Sequence, residues 1–249
     1  MNDVERAFAF MRRGDIRGSR EEPWRFGTAV FTPELPLRRD SNYLLLERPG
    51  AAEAIAGQAE LVQRGLGYRM IYVPDEQLGE RLAAGFESLG WEAGRSVVMV
   101  HRRPPARPID TSSVEEVEEA ALRGPRELDS RQYPWASPEL VRQWLESRRR
   151  IPIEARFFAI EADGMPVSFT DLYIDGDTAQ VEAVATLEAY RGRGYASAVV
   201  LRAVEEARAS GAAWIFLVAE ADDWPKEMYR KLGFDDVGRY LKFSRTAGE

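Results

Sequence analysis

The run HRRPPARPID, His101 to Asp110, divides the chain. Three prolines and three arginines stand in these ten residues. Proline fixes φ and has no backbone N–H, so the run cannot form a helix interior or a central strand. It reads as a linker between a first domain, residues 1–104, and a second, residues 105–249. Of the 249 residues, 45% are apolar and 30% charged, so the chain can bury a sizeable core.

The second part alternates in a regular way. SSVEEVEEAALRG (112–124) has Val114, Val117, Ala121 and Leu122 at helical spacing. SPELVRQWLESRRR (137–150) opens on a serine cap with proline next, and ends on arginines that suit the negative end of a helix dipole. Three strands are predicted over 156–161, 167–174 and 178–186, with Asp163-Gly164 as a hairpin turn. A helix opens near Tyr195 with Val199, Val200, Ala203, Val204 and Ala207 on one face, and Gly211 stops it. A buried strand follows over 214–218. A short helix spans 224–232, with Asp222 or Asp223 as cap, and a last strand covers 238–245.

The first part ends in the same order: helix 51–64, strand 68–73, helix 76–87, strand 96–101. GFESLGWEAGRSVVMVHR (85–102) matches MYRKLGFDDVGRYLKFSR (228–245) in its Leu-Gly-aromatic and Gly-Arg positions. The match reads as a degenerate internal repeat, with Phe86 where the second copy has Tyr229. Hairpins mixed with crossovers imply an α+β fold whose mixed, largely antiparallel sheet is flanked by helices.

Composition narrows the chemistry. There is no cysteine, which removes thiol catalysis, disulfides and cysteine-bound metals. His101 is the one histidine, so no His-rich metal site is expected, and its place beside the linker suits a structural role. The formal charge of −7 speaks against a nucleic-acid binder. The longest apolar run, Ala212 to Ala219, is far short of the roughly 20 residues of a membrane span. The charged N-terminus does not read as a signal peptide, so a cytoplasmic protein is expected.

One stretch points to a ligand. In YRGRGYASAVV, a strand ends near Thr186 and a helix starts near Tyr195. Helix N-termini carry unpaired N–H groups and partial positive charge, and glycines admit a ligand to the backbone. Arg191 and Arg193 add full charges. The nucleotide patterns G-x-G-x-x-G and Gly-Lys-Ser/Thr are both missing. Spacing alone leaves two readings, a pyrophosphate site and a plain strand-to-helix turn.

Arg191, Gly194 and Ala196 form Arg-x-x-Gly-x-Ala, which resembles the acyl-CoA loop of the GNAT N-acetyltransferase superfamily. MYRKLGF, Met228 to Phe234, resembles that family's second signature and stands in the expected order. The resemblance covers about residues 105 to 249 and implies a GNAT-like fold. The first part would be a degenerate copy without the loop.

The resemblance also implies roles. The backbone of Val184, Ala185 and Thr186 would pair with the pantetheine arm of acetyl-CoA. The amides of Arg191, Gly192, Arg193, Gly194, Tyr195 and Ala196 would hold its pyrophosphate. Asp222 stands where the family usually has an asparagine that touches pantetheine, so that contact is altered. Tyr229 would be the general acid for the leaving sulfur, and Glu182 the base for an amine acceptor. No metal is implied. The rival reading is a non-catalytic acyl-CoA-binding or regulatory module, which would keep the loop without needing Tyr229 or Glu182.

Overall fold

The structure, a computed structural model, describes residues 1–247. The first half runs α1 (Asp3–Arg13), β1 (Arg20–Trp24), β2 (Gly27–Phe31), β3 (Tyr43–Leu46), α2 (Ala52–Val62), β4 (Tyr68–Val73), α3 (Glu76–Ser88) and β5 (Glu92–His101). The second half runs β6 (Glu115–Val117), α4 (Arg123–Ser130), α5 (Pro138–Arg148), β7 (Glu154–Ala162), β8 (Met165–Asp175), β9 (Thr178–Thr186), α6 (Tyr195–Ala209), β10 (Trp214–Glu220), α7 (Pro225–Lys231) and β11 (Phe234–Thr246). No helix among the described residues is long and apolar enough to cross a membrane.

These strands form one mixed sheet in the order β1-β2-β3-β4-β11-β5-β10-β9-β8-β7-β6. The two halves exchange their last strands. β5 of the first half lies between β11 and β10, and β11 of the second lies between β4 and β5. The repeat accounts for this. Gly94-Arg95-Ser96 aligns with Gly238-Arg239-Tyr240, and the equivalent residues Ser96 and Tyr240 are register partners in the antiparallel β5–β11 pair. A local two-fold axis therefore passes through this pair, and the sheet runs unbroken across both halves.

Strand alternation sends side chains to two faces. On one face, Val199, Val200, Ala203, Val204 and Ala207 of α6 pack into a core with Phe158, Leu172 and Val181. On the same side of the first half, α2 and α3 cover Leu44, Ile71 and Phe243. On the other face, α1 lays Phe8 and Phe10 over Tyr43, Phe216 and Tyr240. The Phe10 and Phe216 rings meet edge-on at 5.4 Å.

The expected elements are mostly found, with three differences. The 112–124 stretch is not one helix: Glu115–Val117 forms the edge strand β6, a single 3₁₀ turn covers Glu119–Leu122, and α4 follows. A helix would crowd Glu115, Glu116, Glu118 and Glu119 at repulsive spacings. As a strand, Glu116 instead accepts two hydrogen bonds from Arg156 of β7, at 2.9 and 2.6 Å. Helix α7 begins after Trp224 without a side-chain cap, and Asp223 accepts from the Trp224 amide at 2.7 Å. Arg148 at the end of α5 turns into the protein instead of capping toward solvent, for a reason given below.

The linker is held against the second half. The amides of Arg102 and Arg103 donate to Gly233 O, and that of Ala106 to Lys231 O. Gly233 has φ +99°, and a Cβ there would fall 1.9 Å from Arg103 O, so only glycine fits. His101 is buried beside it. Arg208 donates to Nδ1 at 2.8 Å, so the ring proton sits on Nε2 and is donated to Leu232 O at 3.1 Å. Burial, then the Arg208 charge, holds the His101 pKa down to about 4.

The unfolded chain would take up this proton near pH 6.5 and the folded chain only near 4. Stability from this group is therefore full above 6.5 and is lost as pH falls toward 4, by about 3 kcal/mol. Denaturant melts of wild type and His101→Gln across this range check it. The variant is expected to lose less stability on acidification, and equal slopes would refute the assignment.

Candidate functional site

Strands β9 and β10 run parallel but pair only at Thr178–Trp214, Ala179–Ile215 and Gln180–Phe216. Beyond Gln180 they separate. A bulge in β9 marks the place: Ala183 has φ +52°, and the β8 register shifts between Phe169 and Asp171. Thr170 Oγ1 donates to Glu182 O at 2.9 Å and pins the bulge.

The separated strands enclose a cleft of about 250 Å³. Glu182 and Val184 line one wall, Leu217 to Glu220 the other, and Pro225 and Tyr229 of α7 close it. Tyr229 is only 8% exposed. Burial, with the Asp223 charge adding to it, pushes its pKa up to about 12.

The loop before α6 continues the β9 side of this cleft. Gly192 and Gly194 have φ +76° and +83°, with open space where a Cβ would be. Gly194 caps α6 without a side chain, and the first intrahelical bond is Ala198 N–H to Gly194 O. The amides of Tyr195, Ala196 and Ser197 therefore have no intrahelical partner. Arg191 is steadied by donating to Thr186 O at 3.0 Å and to Gln132 Oε1 at 2.6 Å. Arg193 lies over the Tyr190 ring at 5.2 Å. Amides, a helix dipole and two guanidiniums thus gather on one exposed turn, an arrangement that suits an anion.

Ala185 and Thr186 are tied to Ser168, whose hydroxyl donates to Ala185 O and bonds Thr186 Oγ1 at 2.8 Å. Asp222 is exposed in the turn between β10 and α7 and does not line the cleft. Glu182, Val184 and Tyr229 thus share one cleft, while Asp222 stands outside it.

Glu182 has a second neighbourhood. It also lines a cavity of about 420 Å³ on the α1 side of the sheet, and Val218 and Glu220 line both spaces. This larger cavity draws on both halves: Phe8 on α1 and Asp15 just after it, Arg38 and Asp40 before β3, Tyr43, Tyr72 and Tyr240 on strands, and Arg148 at the end of α5. Glu182 is open to the cavity yet lies deep among protein atoms. Burial raises its pKa, Arg148 pulls it back down, and Asp171 pushes it up.

Asp171, the register partner of Glu182, is fully buried between two arginines. Arg126 pairs with one carboxylate oxygen. Arg148 Nε lies 3.2 Å from the other, and Tyr173 donates to that oxygen at 2.8 Å. Arg148 also stacks on Trp144 at 4.2 Å. A charge this deep requires its partners, which is why Arg148 leaves the helix end for the interior.

The first copy is packed with aromatic side chains at the equivalent helix. Phe86, at the position of Tyr229, stacks on Phe243 at 4.1 Å. At the start of α2, a Cβ on Gly50 would meet the Phe26 ring at 2.6 Å.

Sequence reasoning did not find Asp15, Arg38, Asp40, Tyr72, Arg126 or Asp171. Arg38 and Asp40 stand in the proline-bearing segment Phe31 to Glu47, whose Arg-Arg-Asp run was the available signal.

Residues 116–234 match the family described as "Acetyltransferase (GNAT) family". The splayed strands and the loop of α6 lie within this matched segment, so the second half of the chain resembles a GNAT domain. An "Uncharacterized N-acetyltransferase CgeE" of Bacillus subtilis (strain 168) is 24% identical over 216 residues, covering 84% of this chain and 75% of that protein. A GCN5-related N-acetyltransferase from Kribbella flavida has a similar fold, with TM-score 0.70 at 17% identity, over 100% of this chain and 97% of that one. A tandem GNAT protein from the clavulanic acid biosynthesis pathway aligns with TM-score 0.58 at 14% identity, over 99% and 88% of the two chains. The fold is thus α+β with the tandem GNAT arrangement.

Proposed function

We propose that this protein is an acetyl-CoA-dependent N-acetyltransferase that passes the acetyl group directly to an amine. One observation carries the reading: Glu182 stands where the β9–β10 cleft meets the larger cavity, with Tyr229 in the same cleft. A thioester in the cleft and an amine in the cavity would meet beside this carboxylate.

Each residue then has a task. Amides of residues 191–196 hold the coenzyme pyrophosphate, and the free edge of β9 from Val184 to Thr186 faces the pantetheine arm. Glu182 takes a proton from the ammonium so that its nitrogen can attack the thioester carbon. A C–N bond forms, the C–S bond breaks, and the sulfur leaves with the electron pair beside Tyr229. The non-catalytic acyl-CoA-binding reading has no observation in its favour at Glu182, whose place between two spaces suits transfer.

Binding and chemistry are checked separately. Acetyl-CoA is expected to raise the melting temperature, by about 2.7 kcal/mol of stability at a hundredfold excess over Kd, while ATP and NAD leave it unchanged. No shift with acetyl-CoA would sink the reading. In an assay of acetyl-CoA consumption against an amine panel, kcat/KM should fall as pH drops through the raised pKa of Glu182, since only the carboxylate accepts a proton. Glu182→Gln should lose both rate and that acidic limb. A variant that keeps the limb assigns the base elsewhere.

A further inference from the structure

The charge balance of the larger cavity is uneven. Four cationic side chains line it, and each is paired: Arg12 with Glu21 at 2.7 Å, Arg38 with Asp40, Arg148 with Asp171, and Lys242 with Glu220. Of its four carboxylates, Asp40 and Glu220 are used in those pairs. Asp15 and Glu182 form no ion pair among the described residues. Asp15 accepts one hydrogen bond, from Tyr43 at 3.1 Å.

A second observation points the same way. Gln180 is 6% exposed, lines the cavity, and has no side-chain hydrogen bond among the described residues. Its carboxamide stands two residues before Glu182 on the same face of β9. The carboxamide atoms are not shut off from solvent, so they look into the cavity without a protein partner and can bond a ligand that enters it.

The wall between the two carboxylates is aromatic. The Phe8 ring meets Tyr240 at 4.9 Å, and Tyr43 meets Tyr72 at 5.1 Å. Ring faces and apolar edges suit methylene chains and ammonium groups alike. The volume falls within the ordinary range of small-molecule sites, about 300–1,000 Å³.

We propose that the acceptor is an elongated di- or polyamine: Glu182 and Gln180 receive the end that is acetylated, and Asp15 anchors a second ammonium group. This rests on the acetyltransferase reading above. Tyr43 on β3 and Glu182 on β9 are five strands apart in the sheet order, and β9 is splayed from β10 at Glu182, so the span is on the order of 20 Å. A two-carbon diamine cannot bridge that, so binding should improve with chain length. Burial pushes the Asp15 carboxyl up to about 7, the Tyr43 hydrogen bond opposing it, as expected of a carboxylate still lacking its cation.

The test is calorimetric binding of α,ω-diamines from putrescine to 1,10-diaminodecane, each against the amino alcohol of equal length. It needs no turnover, so it stands or falls apart from the acetyltransferase reading, which the acetyl-CoA assays address. Longer diamines are expected to bind about tenfold or more tightly than their matched amino alcohols, the scale of one hydrogen-bonded charge pair. In Asp15→Asn that ratio should collapse toward one. A thermal melt of Asp15→Asn accompanies the titration, and Gln180→Leu gives a second variant that should weaken both ligand series. Equal binding of diamines and amino alcohols overturns the proposal. So does a ratio that survives in folded Asp15→Asn.

Discussion

Tyr229→Phe is expected to lose about 10²–10³-fold in turnover while binding acetyl-CoA with nearly wild-type affinity. That is the scale of removing one preorganised donor from a developing charge. The phenol is buried at the end of the cleft and its pKa is pushed up to about 12, so it is protonated across the working pH range. Full transfer of this proton to a thiolate with an ordinary thiol pKa near 8.5 would run about 5 kcal/mol uphill. On the proposed reading Tyr229 acts by donating a hydrogen bond as the sulfur gains charge, and it keeps its proton. Steady-state kinetics with acetyl-CoA titrations on the same sample separate the two effects. Full turnover in the variant would remove Tyr229 from the chemistry, and a matching loss of cofactor affinity would make it a packing residue.

Asp171→Asn should cost about 3–5 kcal/mol of stability, because it leaves Arg148 buried without its counter-charge and Arg126 with only Glu119, at 3.5 Å. In a chain of this size that lowers the melting temperature by roughly 6–20 °C. The loss is measured in urea or by calorimetry. Asp171→Leu combined with Arg126→Met and Arg148→Met should recover much of it, since apolar residues of similar volume replace a buried triad at little net cost. A single-variant loss below about 1 kcal/mol would mean that water reaches this network and that the pair is not the clamp of β8 and α5 described above.

Both predictions concern residues of the second half, and the sequence makes them unequally visible. Tyr229 lies in MYRKLGF, a local pattern of helix, Leu-Gly turn and strand. Asp171 lies mid-strand in SFTDLYI, where a single acid in an apolar run gives no hint of its partners. Arg126 and Arg148 come from two helices far along the chain, and only packing brings them together. The same holds for the larger cavity. Glu182 was legible as one candidate on a strand, but Asp15, Arg38 and Tyr72 come from a half that shows no catalytic pattern. Helix α1 begins on the capping box Asn2–Glu5, yet nothing local says that α1 lines the cavity.

Where the sequence reading differs from the structure, long-range pairing is the cause. Helical spacing over 112–124 was real, since Val114 and Leu122 are buried. The open edge of β7 and the Arg156 side chain outweighed it and drew Glu115–Val117 into the sheet.

By itself the sequence determined most of the order of elements from α2 onward, the glycine-rich turn before α6, and the repeat whose second copy keeps Tyr229. Those features are local, written in periodicities of two and 3.6 and in glycines that need positive φ. Tertiary structure decided the exchange of β5 and β11, the splay of β9 from β10, and the cavity shared by both halves. Strand pairing and cavity lining depend on residues more than a hundred positions apart, and the free energy that selects them appears only when both halves are packed.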